Sequence, residues 1–418
     1  MTTRSRPTVG VEASPETDRW PALHAPAAAP VRAAAARALL RRVADRTGVR
    51  VALAGGDAFG PPTGPVMRIH RPRAFFDRVG RDGKIGFGEA YMAGDWDAAG
   101  DLAELMEPMA RNMRTLVPSR LQWIRRFYEP RPPAHEDNDP TGSRRNISRH
   151  YDLSNELFAS FLDPTMTYSA ALFEDPAESL EQAQIRKIDR LLDAARVGPG
   201  SRVLEIGTGW GELALRAARR GAAVTSLTLS SEQARLARRR IDAAGLSASA
   251  EVLVCDYRHA TGTYDAVVSV EMIEAVGERW WPVYFKTLEE RLAPGGRVAL
   301  QSILMRHDGM AAARHSWTWI HKYIFPGGII PSVEALDAVV GRHTSLRLLD
   351  RHHFGSSYAE TIRRWRDAFR AAADEVEVLG FDRVFRRMWE FYLAYSEAGF
   401  RSGYLDVAHL VYAKDGTV

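Results

Sequence analysis

Between residues 200 and 302, short apolar runs alternate with longer stretches whose apolar residues recur at helical spacing. The runs fall at 202–206, 223–227, 251–254, 264–270 and 297–302, and the helical stretches near 212–220, 231–244 and 281–292. Strands of that length separated by helices of that length predict a parallel sheet covered on both faces, the doubly wound, Rossmann-like α/β class. A helix over 179–195 leads into this sheet, and YLDVAHLVYAK supplies a last strand. Before that strand the pattern is interrupted by HSWTWIHKYIFPGG (315–328) and by helical stretches over 358–378 and 381–398. Helical insertions at the carboxyl edge of such a sheet are expected to lie over the substrate pocket.

Upstream the pattern differs. Residues 1–30 mix Pro, Ala, Thr and charges without period and predict a mobile tail. A helix is expected over 31–47, with Leu39, Leu40 and Val43 as its apolar side. VRVALAG and VMRI, separated by Gly and Pro, read as small strands, and FGEAYMAGDWDAAGDLAELMEPMARNM as a turn and an amphipathic helix. Residues 31–128 therefore predict an N-terminal α+β domain. Its end, LVPSRLQWIRRFY, sets Trp123, Ile124, Phe127 and Tyr128 among Arg120, Arg125 and Arg126, which suits a helix in a membrane interface or one packed between domains. Residues 129–145 read as a Pro-rich polar linker, and 146–418 as the second domain.

Composition narrows the class only slightly. The chain has 418 residues with 45% hydrophobic content, room for two domains. Its N-terminus lacks the apolar core of a signal peptide and no run approaches the roughly 20 residues that span a bilayer, so a cytoplasmic protein is expected. The single cysteine, Cys255, forbids an internal disulfide. A net charge of +4 permits attraction to an anionic surface, but no basic tail of the kind used on nucleic acid is present.

The chemistry enters at VLEIGTGWGE (203–212), where a strand ends in Gly207, Gly209 and Gly211 before a helix. Such a turn lets backbone approach a ligand near a helix N-terminus. A nicotinamide site would place an acid at the end of the second strand, where SLTLS stands instead, and a phosphate loop would need Gly-Lys-Ser/Thr, which is absent. The remaining candidate is S-adenosylmethionine. Glu205 beneath the glycines is placed to hold its ammonium, or serves as a buried structural acid. Asp256 is placed to accept from the adenine amino group with Tyr257 stacking beside it, although Asp is also a common turn former.

NISRHYDLSNELF, LDPTMTYSAALF, VLEIGTGWGE, LTLSSEQ, CDYR, SVEMIEAVGE and KYIFPGG resemble, in that order, the blocks of the cyclopropane fatty acid synthases and mycolic acid methyltransferases. FGEAYMAGDW is similar to the N-terminal domain of the longer, phospholipid-acting members. The resemblance implies S-adenosylmethionine as donor, an unsaturated phospholipid acyl chain at the membrane surface as acceptor, and one-carbon transfer to its double bond. It assigns cofactor contacts to Tyr168, Ser169, Gly207, Gly209, Thr228, Gln233, Asp256 and Tyr257, with Thr228 and Gln233 at the ribose. It further implies a bicarbonate base held by Glu274, the Ile303 backbone and Tyr358. Two of that ion's other partners differ here: Ala170 stands for a Cys and Gln301 for a His.

Methyl transfer to an alkene leaves a carbocation, which aromatic faces stabilise by on the order of 2 kcal/mol when desolvated. Tyr151, Tyr168, Trp317 and Tyr358 are the candidates, each with core packing as the plain alternative. Glu274 is the expected base, directly or through bicarbonate, or else an acid at a helix start. The altered base site at Ala170 points to a methylene-branched product, the precursor of 10-methyl (tuberculostearic) acids, over a cyclopropane. A separate reductase would then finish the product. Nucleic acid is not expected as a partner, and a homo-oligomer is left open.

Overall fold

The computed structural model describes residues 19–116, 133, 136, 138, 139, 142, 143, 145, 146, 154–314 and 316–414. Tyr151 and the aromatic–arginine stretch 117–128 lie outside the described residues.

The N-terminal part starts with helix α1 (Pro30–Thr47), which opens on a proline and ends at Gly48 in the left-handed region, φ 77°. Strands β1 (Arg50–Leu53), β2 (Ala58–Phe59), β3 (Val66–Ile69) and β4 (Trp96–Ala98) form a sheet in the order β2-β1-β3-β4. Helix α2 (Pro72–Ala93) kinks at Gly83 and packs on α1, and α3 (Leu102–Leu116) follows. The small strands expected from VRVALAG and VMRI are present as β1 and β3.

Helix α4 (Asn155–Ala159) is capped by Ser154, and α5 (Leu180–Ala194) by Ser179 in a reciprocal box with Gln182. The large sheet holds β5 (Arg202–Ile206), β6 (Ala223–Thr228), β7 (Ala250–Val254), β8 (Tyr264–Val270), β9 (Leu292–Met305), β10 (Leu346–His353) and β11 (Leu405–Lys414), in the order β10-β11-β9-β8-β5-β6-β7. The pairs from β7 to β9 are parallel, and β11 runs antiparallel between β9 and β10. Its crossover helices include α6 (Glu212–Arg219), α7 (Ser231–Ala243), α8 (Ile273–Val276) and α9 (Trp281–Arg291). Edge strand β10 was not expected from its sequence: only Leu346 of its eight residues is buried, so LRLLDRHH carries no period-two signal, and backbone pairing with β11 defines it.

Because the chain begins this sheet at β5, runs outward to β7 and returns to β8, the strand order reverses between β5 and β8. That crevice, at the carboxyl ends of the strands, is where open α/β sheets bind ligands. The second half of the chain adds α10 (His307–Ala313), α11 (Trp319–Tyr323), α12 (Val333–His343), α13 (Gly355–Ala371), α14 (Ala373–Val378) and α15 (Arg383–Arg401); α12 packs on α9 and β10, and α13 on α15 and β11.

One apolar core runs from Val51, Met67 and Trp96 of the N-terminal sheet through Trp365, Trp389 and Phe391 of α13 and α15 to Phe158 and Trp210 beside the glycine turn. At the join, Glu89 of α2 accepts from Tyr323 Oη at 2.9 Å and from Lys322 Nζ at 2.5 Å. In the stretch read as a linker, Glu136, Asn138 and Ser143 are buried, and Asn138 Nδ2 donates to Gly327 O at 2.8 Å. Among the described residues no helix is long and apolar enough to cross a membrane.

Candidate active site

The turn after β5 carries Gly207 and Gly209 at φ 98° and 52°, and Gly211 at φ 92° as N-cap of α6. A Cβ on Gly207 would lie 2.6 Å from Met272 Cγ, so this turn and the loop after β8 meet at the switch point. Beneath the turn, Glu205 is 3% exposed, and its Oε2 accepts from Ser226 Oγ at 2.5 Å. Ser226 Oγ also lies 2.7 Å from Thr208 Oγ1. Burial pushes the Glu205 carboxyl up to about 8, the Ser226 hydrogen bond opposing only in part. An acid so placed fits the ammonium of S-adenosylmethionine, which would replace the missing solvent by a positive charge. Beyond β6, Thr228 Oγ1 donates to Gln233 Oε1 at 3.0 Å and accepts from Ser230 N, while Ser230 caps α7.

Asp256, two residues past β7, faces Arg258, which donates to both carboxylate oxygens at 2.8 and 2.7 Å. The Arg258 guanidinium lies over the rings of Tyr257 and Trp280, and Tyr257 meets Tyr284 edge-on at 5.2 Å. The turn-forming role of Asp256 is therefore present, since it also accepts from Arg258 N. Tyr168 Oη lies 2.8 Å from Tyr392 Oη, and Ser169 Oγ accepts from Lys187 Nζ at 2.7 Å.

The residues that the resemblance assigns to an anion converge beyond β8 and β9. Glu274 Oε1 accepts from Ile303 N at 2.5 Å and Ser302 Oγ at 3.0 Å, while its Oε2 has no hydrogen-bond partner among the described residues. Burial, reinforced by the nearby Glu271 charge, pushes the Glu274 carboxyl up to about 8. Tyr358, Ala170 and Gln301 instead face a second acid that the sequence reading passed over. Glu271 Oε1 accepts from Ala170 N at 2.9 Å and Gln301 Nε2 at 2.8 Å, and Oε2 from Tyr358 Oη at 2.7 Å. A protein carboxylate thus uses the donors expected to hold bicarbonate. The residues present do not fit a further anion, which would lie against two carboxyls with those donors already engaged.

Gln301 is held in this orientation by His409 on β11: its Nε2 donates to Glu271 and to Ala170 O, so its Oε1 accepts from His409 Nε2 at 3.0 Å. Burial holds His409 well below the usual histidine range, consistent with this neutral tautomer. Glu271 itself has φ 50°, an uncommon conformation for a side chain with a Cβ, of the kind that collects at functional sites. Glu271 stands in SVEMIEAVGE, three residues before Glu274, and an acid at the first position past a central strand was the available signal.

Of the aromatic candidates, Tyr168 and Tyr358 both flank Trp365, with centroids at 5.1 and 6.2 Å, and Tyr358 lies 4.4 Å from Phe400. Trp317 is tied to Glu136, its Nε1 donating to Oε2 at 2.9 Å.

Residues 138–410 match the family model described as mycolic acid cyclopropane synthetase. The chain is 52% identical over 413 residues, 96% of each chain, to tuberculostearic acid methyltransferase UfaA1 of Mycobacterium tuberculosis. It is 32% identical over 83% of its length to the cyclopropane-fatty-acyl-phospholipid synthase of Escherichia coli, covering 87% of that protein. Among solved structures, cyclopropane synthase MmaA2 from Mycobacterium tuberculosis superposes with TM-score 0.61 at 31% identity, covering 65% of this chain and 98% of that one. Mycolic acid cyclopropane synthase CmaA1, complexed with SAH and CTAB, gives the same TM-score at 30% identity over 65% of this chain and 98% of that one. With its switch-point glycine turn, its paired carboxyls and a match over most of its length, the chain belongs to the mycolic acid cyclopropane synthetase family.

Proposed function

We propose that this chain is a fatty acyl methyltransferase that converts an unsaturated phospholipid acyl chain into a methylene-branched chain, with Glu271 as the base. The observation that carries the reading is the Glu271 carboxylate under Ala170, Gln301 and Tyr358. When bound, S-adenosylmethionine supplies an electrophilic methyl group: the alkene π pair forms the new carbon–carbon bond as the sulfur–methyl pair returns to sulfur. The rings of Tyr168 and Tyr358 supply electron-rich faces for the resulting cation.

Two fates then compete. If the base takes a proton from the new methyl group at once, the freed pair closes a cyclopropane. If a hydride first shifts from the methylated carbon to its cationic neighbour, the same proton loss leaves an exocyclic methylene. The Glu271 carboxylate is anchored by three hydrogen bonds, so it cannot swing at once to the new methyl group; proton removal is delayed and the shift comes first. The tuberculostearic acid methyltransferase name of the 52% identical relative favours the same outcome. Saturating the methylene needs a hydride donor, and we assign that step to a separate reductase.

The N-terminal residues 31–128 are read as the unit that brings the pocket to a membrane surface, peripheral association in keeping with the phospholipid substrate. The test is incubation with S-adenosylmethionine and dioleoyl phosphatidylglycerol vesicles, followed by NMR of the released acyl chains. Vinylidene signals are expected, whereas a cyclopropane as sole product overturns the proposal.

A further inference from the structure

Helix α5 carries two fully buried polar side chains one turn apart, Gln184 and Lys187, each at 0% exposure. Both grip the segment that leads to Ala170. Gln184 Nε2 donates to Thr167 O at 3.2 Å and Ser169 O at 2.8 Å, and Lys187 Nζ donates to Ser169 Oγ at 2.7 Å. The next backbone N–H, that of Ala170, donates to Glu271. A hydroxyl alone does not require a cation: a neutral donor would satisfy Ser169 without the desolvation of an ammonium, several kcal/mol for a buried ion. What the charge adds is its action on neighbouring acids. Burial pushes the Glu271 carboxyl up, and the Tyr358 and Ala170 hydrogen bonds and then the Lys187 charge oppose that rise; Glu271 and Asp163 in turn favour the charged form of Lys187.

We propose that Lys187 is a positioning residue for the methyl-transfer reaction: its buried ammonium is the counter-charge that keeps Glu271 ionised as base, while its hydrogen bond to Ser169 fixes the backbone that donates to that carboxylate. This rests on the reading of Glu271 as the base. The groups around the pair are consistent with it. Glu271 is faced by Tyr358, Gln301, the Ala170 N–H and the Glu274 carboxyl, and of these none is a cation. The charges of Glu271 and Asp163 act on Lys187 through space, and His409, on which the same ammonium acts, is held neutral mainly by burial. Burial draws Lys187 down to about 8, the two acids opposing, which leaves it charged at neutral pH.

The test is Lys187→Gln, which retains a donor for Ser169 and loses the charge, beside Lys187→Met, Lys187→Arg and Glu271→Gln. The pH profile of kcat is recorded on dioleoyl phosphatidylglycerol vesicles with saturating S-adenosylmethionine. Without the cation the Glu271 pKa rises, so the acid limb of Lys187→Gln is expected to move up by about one pH unit, with an about tenfold loss of kcat on that limb and little change in the KM for S-adenosylmethionine. Lys187→Arg is expected to restore the limb, and Lys187→Met, which loses the hydrogen bond to Ser169 as well as the charge and stands in if the Gln variant does not fold, to shift it at least as far. An unmoved limb in a folded charge-free variant, or a loss confined to KM, overturns the proposal while leaving Glu271 as base. Undiminished turnover by Glu271→Gln removes the base reading itself.

Discussion

At the scale of single residues, the site divides its two neighbouring acids between roles. Glu271 accepts from Ala170 N, Gln301 and Tyr358, whereas Glu274 binds Ile303 N and leaves Oε2 unpaired among the described residues, its carboxyl pushed up to about 8. A group that is neutral at pH 7 resembles its amide, so Glu274→Gln is expected to retain turnover within about tenfold, and Glu271→Gln to lose about 10²–10⁴-fold in kcat, the usual contribution of a general base. Glu205 makes a separate prediction. At pH 7 its carboxyl, at about 8, is mostly protonated before the cofactor enters, and an ammonium beside it favours ionisation. Binding of S-adenosylhomocysteine is therefore expected to release about one proton, measured by calorimetry in buffers of different ionisation enthalpy. Glu205→Gln should bind more weakly and release none; an unchanged proton count in that variant would contradict the assignment.

At the scale of elements, the glycines mark where backbones must approach. Gly88 on α2 faces Trp319 of α11, and a Cβ there would lie 2.4 Å from Trp319 Cδ1. Gly88→Ala is expected to destabilise the protein by about 1–3 kcal/mol, as overpacking does, seen as a lower midpoint in urea unfolding; an unchanged midpoint would show that α2 and α11 separate freely. The inner parallel strands were legible because β5 and β8 are buried along most of their length and read as apolar runs. Edge strand β10 was not, because an exposed strand held by backbone pairing leaves no mark in side-chain pattern. The glycine turn announced itself by spacing. Glu271 did not, since its role depends on donors from residues 170, 301 and 358, which only the folded sheet brings to one point. Lys187 and His409 were hidden for the same reason: a lysine on a helix and a histidine on a strand are ordinary until the sheet buries them behind the acid.

At the scale of the whole molecule, the apolar core that runs from Val51 to Trp210 joins the N-terminal sheet to α13, α15 and the glycine turn. The sequence suggested two units because a Pro-rich stretch separates two kinds of pattern, yet hydrophobic clusters across that stretch have no signature in local order. A carbocation requires that water be kept out, and what the base does next decides the product. The most direct measurement is the position of label in product made from 9,10-dideuterated oleoyl phosphatidylglycerol. A shift before proton loss places both deuterons on one carbon beside the new methylene, and carbon-13 NMR is predicted to show that CD₂ group. One deuteron retained on each of two cyclopropane carbons would contradict the role given to Glu271.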